Sequence, residues 1–179
     1  MMPPLRDTHD IQFVAGFVAE PQRLYDWLVA NVPWDTRFRA RQSASFGVPY
    51  NYSGVTWPEP PWSDELLPLR ERLSAHLGYE CNNCLANYYP DEHASMGYHA
   101  DATDDLEPGT GIAIVSLGAE RTLTFRNQID RTQLEHYPLP SGSLLFMTAD
   151  LQSTWKHALL PTEEPTPGRI SLTFRRLRV

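Results

Sequence analysis

Apolar residues recur at helical spacing in two segments of the first half of the chain. The first segment, residues 21–32, begins with a proline, which a helix tolerates in its first turn. The second follows Ser63, a candidate N-cap, and ends at Gly78, a residue type that often terminates helices. The pattern predicts two amphipathic helices. Their apolar sides consist of Leu24, Trp27, Leu28 and Val32 and of Leu66, Leu69, Leu73 and Leu77.

From Cys81 onward the spacing changes to short runs separated by turn signals at residues 108–109, 141–142 and 167–168. Short strands at such regular spacing are typical of a sandwich, barrel or jelly roll. With two preceding helices packed on one face, the pattern predicts an α+β fold with a jelly-roll core. Residues 33–61 predict only a hairpin or loop assembly. The predicted strands span residues 84–89, 96–101, 111–117, 121–126, 133–138, 143–147, 154–159 and 169–177.

The composition is that of one globular domain with its own core, with 179 residues, 41% hydrophobic and 21% charged. No apolar run approaches the roughly 20 residues of a membrane span. The N-terminus lacks the pattern of a secretory signal, so we expect a cytoplasmic protein. Nothing indicates an obligate protein partner. The net charge of −7 argues against bulk electrostatic coating of nucleic acid but allows a local basic strip.

Cys81 and Cys84 form a C-x-x-C pair, and no second pair exists to complete a structural zinc site. A redox pair would open a helix, whereas this one leads into a predicted strand. Two reduced and partly buried thiols are therefore the favoured interpretation.

The run YHAD holds candidate metal ligands. His99 and Asp101 lie two positions apart on a predicted strand, and so on the same face. His157, on a later predicted strand, would supply a third ligand. Two imidazoles and one carboxylate are typical of iron(II) sites with open positions for substrate and oxygen. H-x-D alone is a weak signal, because a surface histidine beside a solvated aspartate is the commoner case.

The last predicted strand reads RISLTFR. Alternation places Arg169, Ser171, Thr173 and Arg175 on one face and apolar residues on the other. A polar face turned into a core is costly unless it meets a buried anion, and two guanidiniums suit the two ends of a dicarboxylate. The alternative is a solvated edge strand. Together with the metal triad, the anion site is the favoured hypothesis.

These motifs resemble those of the AlkB-type 2-oxoglutarate dioxygenases, which are nucleic-acid dealkylases with a double-stranded β-helix (jelly-roll) core. The resemblance rests on motifs that occur in the family's order and cover nearly the whole chain. They are NYY at 87–89, HAD at 99–101, His157, RISLTFR at 169–175, YNYSG at 50–54, which looks like the family's lid motif, and GSLLFM at 142–147.

The resemblance implies oxidative removal of N-alkyl groups from bases of DNA or RNA, as in alkylation damage repair. Iron(II) would be the cofactor, 2-oxoglutarate and O₂ would be consumed, and formaldehyde, succinate and CO₂ would be released. It implies one domain over residues 1–179, with helices and a nucleotide-recognition lid in 1–80 and a catalytic jelly roll in 81–179. The implied iron ligands are His99, Asp101 and His157. The implied co-substrate contacts are Arg169, Tyr89 and Ser171 at the distal carboxylate and Asn87 and Arg175 near the metal. The implied base contacts are Tyr50 and Tyr52.

Alternating cations at Arg37, Arg39 and Arg41 would form one basic edge beside this lid if the stretch is extended. Trp34, just before them, could stack on or wedge between bases. The alternatives are an ordinary solvated strand face for the arginines and lid packing for the tryptophan.

One position departs from the family. An acidic residue usually stands one or two places after the H-x-D aspartate, whereas this chain has Ala102 and Thr103, and its acids begin at Asp104. The departure keeps a second hypothesis open, an oxygenase of the same fold that acts on a small molecule, amino acid or peptide. A third, a non-catalytic jelly-roll binding module, is disfavoured by the intact triad and arginines.

Overall fold

The computed structural model describes residues 9–50 and 61–179 of the chain. Within these residues, ten strands and three helices follow one another. They are β1 (Ile11–Val14), α1 (Pro21–Asn31), β2 (Gln42–Gly47), α2 (Leu67–Leu77), β3 (Asn83–Tyr89), β4 (Met96–His99), β5 (Gly111–Gly118), β6 (Arg121–Asn127), β7 (Leu134–Leu139), β8 (Leu144–Thr148), α3 (Leu151–Thr154), β9 (Trp155–Leu159) and β10 (Arg169–Arg175).

The strands form two antiparallel sheets. The larger has the order β1-β8-β5-β10-β3-β2, and the smaller has the order β4-β9-β6-β7. Apolar side chains of both sheets, such as Ile112 and Leu145 from the larger and Leu123 and Leu139 from the smaller, belong to one buried cluster. The two sheets therefore face each other across a common interior, which confirms the predicted jelly-roll core.

Helices α1 and α2 cover the outer face of the larger sheet. Leu28 of α1 and Leu73 of α2 are completely buried and share a cluster with Ile170, Leu172 and Phe174 of β10. Since burial of a leucine side chain contributes about 1.5–3 kcal/mol, this layer is a substantial part of the stability. The prediction of two helices on one face is confirmed. It leaves the opposite face of β10, with its polar side chains, to the interior between the sheets.

The second helix begins later than predicted, at Leu67 rather than near Ser63. The Ser63 hydroxyl accepts the N–H of Glu65 and its carbonyl accepts that of Leu66, which makes a turn before the helix. A start at Leu67 places Pro68 in the first turn, where its missing N–H costs nothing, whereas an earlier start would bury it within the helix. The helix ends as predicted at Gly78, whose φ is +80°.

Strand β1 was not predicted, and β2 lies in the stretch for which the sequence predicts only a hairpin or loop assembly. Both are short and lie near glycine and proline, and each is held by a partner distant in sequence. β1 pairs with β8, and β2 pairs with β3. Because both precede residue 81 and belong to the larger sheet, the predicted division at residues 80 and 81 does not separate the core from the N-terminal part. No helix in the described ranges is long and apolar enough to cross a membrane.

The two cysteines are free and buried, so the interpretation as reduced thiols is confirmed. Burial raises the pKa of Cys81 to about 12 and raises that of Cys84 as well. Because only the thiolate is a good nucleophile, we expect iodoacetamide at about pH 8 to label both thiols at least about 100-fold more slowly in the native protein than in urea. Mass spectrometry of timed samples measures this, and rapid native labelling of either thiol would contradict the packing described.

Candidate active site

His99, Asp101 and His157 converge between the two sheets. The Nε2 atoms of His99 and His157 lie 3.3 and 3.6 Å from Oδ1 of Asp101. One potential ligand atom from each residue lies within 4.8 Å of the other two. His99 at the end of β4 is the register partner of His157 on β9, so the two strands set the separation of the imidazoles. The three residues can grip one metal ion.

Asp101 reaches this position from a loop. The sequence predicts a strand through residue 101, but β4 ends at His99 after a register irregularity. The backbone N–H of Asp101 instead donates to Oε1 of Gln152 on α3, at 2.9 Å. Because α3 leads directly into β9, this bond links the loop of one candidate ligand, Asp101, to the strand of another, His157.

The protonation states suit metal binding. Nδ1 of His99 lies 2.9 Å from the carbonyl oxygen of Gly97, which can only accept, so Nε2 is left for a metal. Burial lowers the pKa of His157 to about 4, so its imidazole is neutral at pH 7. Burial acts to raise the pKa of Asp101, but the Arg175 guanidinium and the two histidines outweigh it and hold that pKa well below the usual range. The carboxylate is therefore ionised.

Arg175 fixes which carboxylate oxygen faces the histidines. Its Nη2 donates to Oδ2 of Asp101 at 2.8 Å, so Oδ1 remains for the metal. The Nε and Nη1 atoms of the same guanidinium are buried and have no hydrogen-bond partner among the described residues. Buried donors of this kind are costly unless a ligand supplies acceptors.

A cavity of about 510 Å³, counting the part open to solvent, adjoins the triad. Arg169 lies in its wall, 2% exposed, with one donor bonded to the Ser116 hydroxyl at 2.9 Å and its Nε without a partner among the described residues. Burial lowers the Arg169 pKa to about 10, so the group stays charged at neutral pH. Tyr89 lies beside it, with the guanidinium carbon 5.4 Å from the ring centroid. The cavity thus holds a buried positive charge and an unpaired donor, which suit an anionic ligand.

The polar face of β10 turns inward as the sequence predicts. Its four members line the cavity together with Asn87 and Tyr89 of the neighbouring strand β3. The register places Arg169 opposite Tyr89 and Ser171 opposite Asn87. With two imidazoles and a carboxylate beside them, these residues fit iron(II) and a dicarboxylate bound side by side.

Of the residues predicted to contact a base, the structure places Tyr50 near the triad and Trp34 away from the cavity. Tyr50 is buried, and Arg175 lies 4.0 Å above its ring centroid, so it belongs to the neighbourhood of the triad. Tyr52 lies outside the described residues. Trp34 is not brought to the cavity, because its ring packs 5.5 Å from that of Tyr88 and its Nε1 donates to the carbonyl of Leu28 at the end of α1. The structure thus packs Trp34 against Tyr88 of β3 and against α1, while the lid motif beyond Tyr50 lies outside the described residues.

The predicted basic edge does not form, since residues 38–40 are bends and not a strand. Arg37 folds back on Asp35, with its Nε 2.8 Å from Oδ2. Arg41 turns inward, and its Nε donates to Oδ1 of Asn87 at 3.3 Å. Arg39 is exposed. The alternation failed as a guide because local and long-range polar partners bent the backbone and drew two of the three arginines away.

Three polar residues at this site were not predicted, namely Ser43, Ser116 and Gln152. Each is buried and forms a hydrogen bond with a residue of the site, and none belongs to a recognisable sequence motif. Only Ser116 carries a sequence signal, as the one hydroxyl in the apolar run of β5. Such a residue in a core strand needs a hydrogen-bond partner.

Comparisons with known proteins agree with this geometry. The sequence model of the 2OG-Fe(II) oxygenase superfamily matches residues 26–175. The chain is 32% identical over 181 residues to the alpha-ketoglutarate-dependent dioxygenase alkB homolog 3 of Rattus norvegicus, covering 89% of this chain and 61% of that protein. It is 31% identical over 178 residues to the DNA oxidative demethylase ALKBH2 of Homo sapiens, covering 94% of this chain and 65% of that protein. The chain therefore spans less than two thirds of either relative.

A solved structure of OsALKBH1 shows the shared fold, with a TM-score of 0.70 at 15% identity, covering 96% of this chain and all of that one. The matched range contains all three candidate metal ligands and both arginines of β10. The chain belongs to the 2OG-Fe(II) oxygenase superfamily and, within it, to the AlkB-type dioxygenases.

Proposed function

We propose that this chain is an iron(II)- and 2-oxoglutarate-dependent dioxygenase that removes N-alkyl groups from bases of DNA or RNA. The observation that supports the chemistry most is the pairing of the His99, Asp101 and His157 triad with buried, under-satisfied guanidiniums in one cavity. The nucleic-acid substrate rests on the relatives, one of which is named a DNA oxidative demethylase. The proposal includes the roles of the individual iron, 2-oxoglutarate and substrate contacts that follow.

His99, Asp101 and His157 hold iron through Nε2, Oδ1 and Nε2. Arg169 pairs with the distal carboxylate of 2-oxoglutarate, with Tyr89 and Ser171 beside it, while Asn87 and Arg175 face its metal-proximal end. The bound iron and 2-oxoglutarate supply an oxidant, made from O₂, for a C–H bond of the alkyl group. The protein orients the reactants and limits their contact with water in the cavity between the two sheets. Tyr50 packs on Arg175, and its proposed role is to contact the substrate base.

A group of cations on β6, β9 and the residues after β6 forms a basic pocket, which we propose binds a phosphate backbone. We use that name for the depression of about 280 Å³, open to solvent, lined by Arg126, Asn127, Gln128, Arg131 and Lys156. None of these lining residues is acidic, in a chain whose net charge is −7. Arg126 and Lys156 are register partners on β6 and β9, and Lys156 precedes His157. Phosphate contacts of this kind position a nucleic acid without reading its sequence.

Removing two charges from the basic pocket should weaken nucleic-acid binding. For Arg131→Gln with Lys156→Gln, we expect an approximately tenfold loss of affinity for a single-stranded oligonucleotide at moderate salt. The slope of log K against log salt should fall by about 1.4, because each phosphate contact on a single strand contributes about 0.7. Fluorescence anisotropy at several salt concentrations measures both quantities.

The matched control is Arg23→Gln with Arg72→Gln, which removes the same charge from exposed positions on α1 and α2. It should change affinity little. Equal losses in the two double variants would contradict a local phosphate site and leave only a net-charge effect.

The proposed activity is tested by succinate release. The protein with iron(II), 2-oxoglutarate and O₂ should form succinate faster with N-methylated oligonucleotides than with the same oligonucleotides unmethylated. Succinate formation that no oligonucleotide stimulates, but that an amino acid, peptide or small molecule does, would replace the nucleic-acid substrate by the alternative one. His99→Ala serves as the inactive control.

A further inference from the structure

A row of small polar side chains crosses the larger sheet beside the cavity. The register aligns Ser43 of β2 with Asn87 of β3, Asn87 with Ser171 of β10, and Ser171 with Ser116 of β5. All four are at most 5% exposed. Two of them, Asn87 and Ser171, line the cavity, while Ser43 stands one strand farther out. Ser43 is thus in a position to act on the site only through Asn87.

Ser43 and Arg41 both donate to the side-chain oxygen of Asn87. The Ser43 hydroxyl lies 2.8 Å and the Arg41 Nε 3.3 Å from Oδ1. A guanidinium N–H can only donate, so the atom that faces it must be the amide oxygen. The amide nitrogen therefore points away from β2, on the cavity side. It has no acceptor among the residues that the structure describes, although Asn87 is 4% exposed.

We propose that Ser43 is a positioning residue, which holds the Asn87 amide so that its nitrogen donates to an oxygen of bound 2-oxoglutarate. The inference rests on the proposed function, since it takes the cavity to be the 2-oxoglutarate site. An amide can turn by about 180° with little change of shape, which exchanges a donor for an acceptor. An amide oxygen facing an anionic ligand would repel it. Arg41 removes that choice, because its Nε can only donate and therefore keeps Oδ1 on the β2 side. The Ser43 hydroxyl donates to the same oxygen over the shorter distance and so holds the amide in this productive orientation.

Ser45 provides a matched control. It lies two residues along β2 on the same face, is 6% exposed, and is aligned with Leu85 instead of Asn87. Its hydroxyl has no hydrogen-bond partner among the described residues. Ser43→Ala and Ser45→Ala therefore remove the same atom from equally buried places, and only the first removes a bond to Asn87.

The test is calorimetric titration of 2-oxoglutarate into the Mn(II)-loaded protein, where no turnover occurs. The dissociation constant should rise about tenfold in Ser43→Ala and stay unchanged in Ser45→Ala. Mn(II) affinity without 2-oxoglutarate should be equal in all proteins, because Ser43 does not touch the metal ligands. In a second pair of variants, Ser43→Thr and Ser43→Val, the two new side chains are isosteric, and only threonine carries a hydroxyl. We expect near-normal affinity for the threonine variant and weakened affinity for the valine variant.

Equal 2-oxoglutarate affinity in Ser43→Ala and the unaltered protein, or in the threonine and valine variants, would overturn the role of Ser43 and leave the proposed function standing. An equal loss in Ser43→Ala and Ser45→Ala would overturn it too, by showing a packing effect of β2. Failure of the unaltered Mn(II)-loaded protein to bind 2-oxoglutarate would overturn the proposed function, and the role of Ser43 with it.

Discussion

Asp101→Ala should abolish iron binding and also destabilise the metal-free protein. Removing an outer-shell partner of a metal typically costs about 10–100-fold in affinity, so loss of a ligand should cost at least that. The second effect comes from Arg175, which is 3% exposed and bonded to Oδ2 of Asp101. Loss of the carboxylate leaves a buried unpaired charge, for which we expect the free energy of unfolding to fall by about 3–5 kcal/mol. Metal titration and urea unfolding of the metal-free protein measure the two effects.

His99→Ala separates these effects, because His99 is also a proposed metal ligand, whereas the Arg175 guanidinium bonds to Asp101. It should lose iron equally and lose only about 1 kcal/mol of stability without metal. Adding Arg175→Met to Asp101→Ala should restore part of the lost stability, since an apolar side chain replaces the unpaired charge. Equal stability losses in Asp101→Ala and His99→Ala would contradict the assigned bond between Asp101 and Arg175.

Arg169→Met should abolish the response to 2-oxoglutarate without destabilising the free protein. At 100 times its dissociation constant, 2-oxoglutarate should stabilise the Mn(II)-loaded protein by about 2.7 kcal/mol. The variant should show no such gain, because two charge-assisted bonds to a carboxylate are worth at least about 100-fold in affinity. Without ligand, Arg169 is a buried charge with an unsatisfied Nε, so its replacement by a long apolar side chain removes a cost. Thermal unfolding with and without 2-oxoglutarate measures both.

Arg121→Met is the matched control for Arg169→Met. Arg121 is also buried, but its guanidinium donates to the backbone carbonyls of Asp91, Ala94 and Leu160. This variant should lose stability, because three backbone carbonyls lose their donor, yet keep the gain from 2-oxoglutarate. A reversed pattern, with stability lost in Arg169→Met and the ligand gain lost in Arg121→Met, would contradict the assignment of the anion site.

The sequence was sufficient for those parts of the site that depend on alternation along one strand. The polar face of β10 and the position of His157 on a late strand follow from a period of two, and the structure shows both. Asp101 was placed at the site for a partly wrong reason. The expected strand stops at His99, and the carboxylate arrives through a loop held by Gln152, 51 positions away in the sequence. No local pattern contains that contact.

Arg37 and Arg41 show the complementary limit. Their spacing indicates a basic edge, yet Asp35 takes the first and Asn87 takes the second. The Asn87 contact spans 46 positions and exists only because β2 pairs with β3, a strand pairing that the sequence did not reveal. The same pairing creates the contact of Ser43 with Asn87. Positions that depend on a missed strand could not be predicted, however clear the metal motif.

The most direct test of the central claim follows a base through the reaction. A single-stranded oligonucleotide that carries one N-methylated base is incubated with the protein, iron(II), 2-oxoglutarate and O₂, and its mass is measured together with formaldehyde. The proposed function predicts loss of one methyl group with stoichiometric formaldehyde, and no change with His99→Ala or without 2-oxoglutarate. Succinate formation with every methylated base left intact would contradict a nucleic-acid dealkylase.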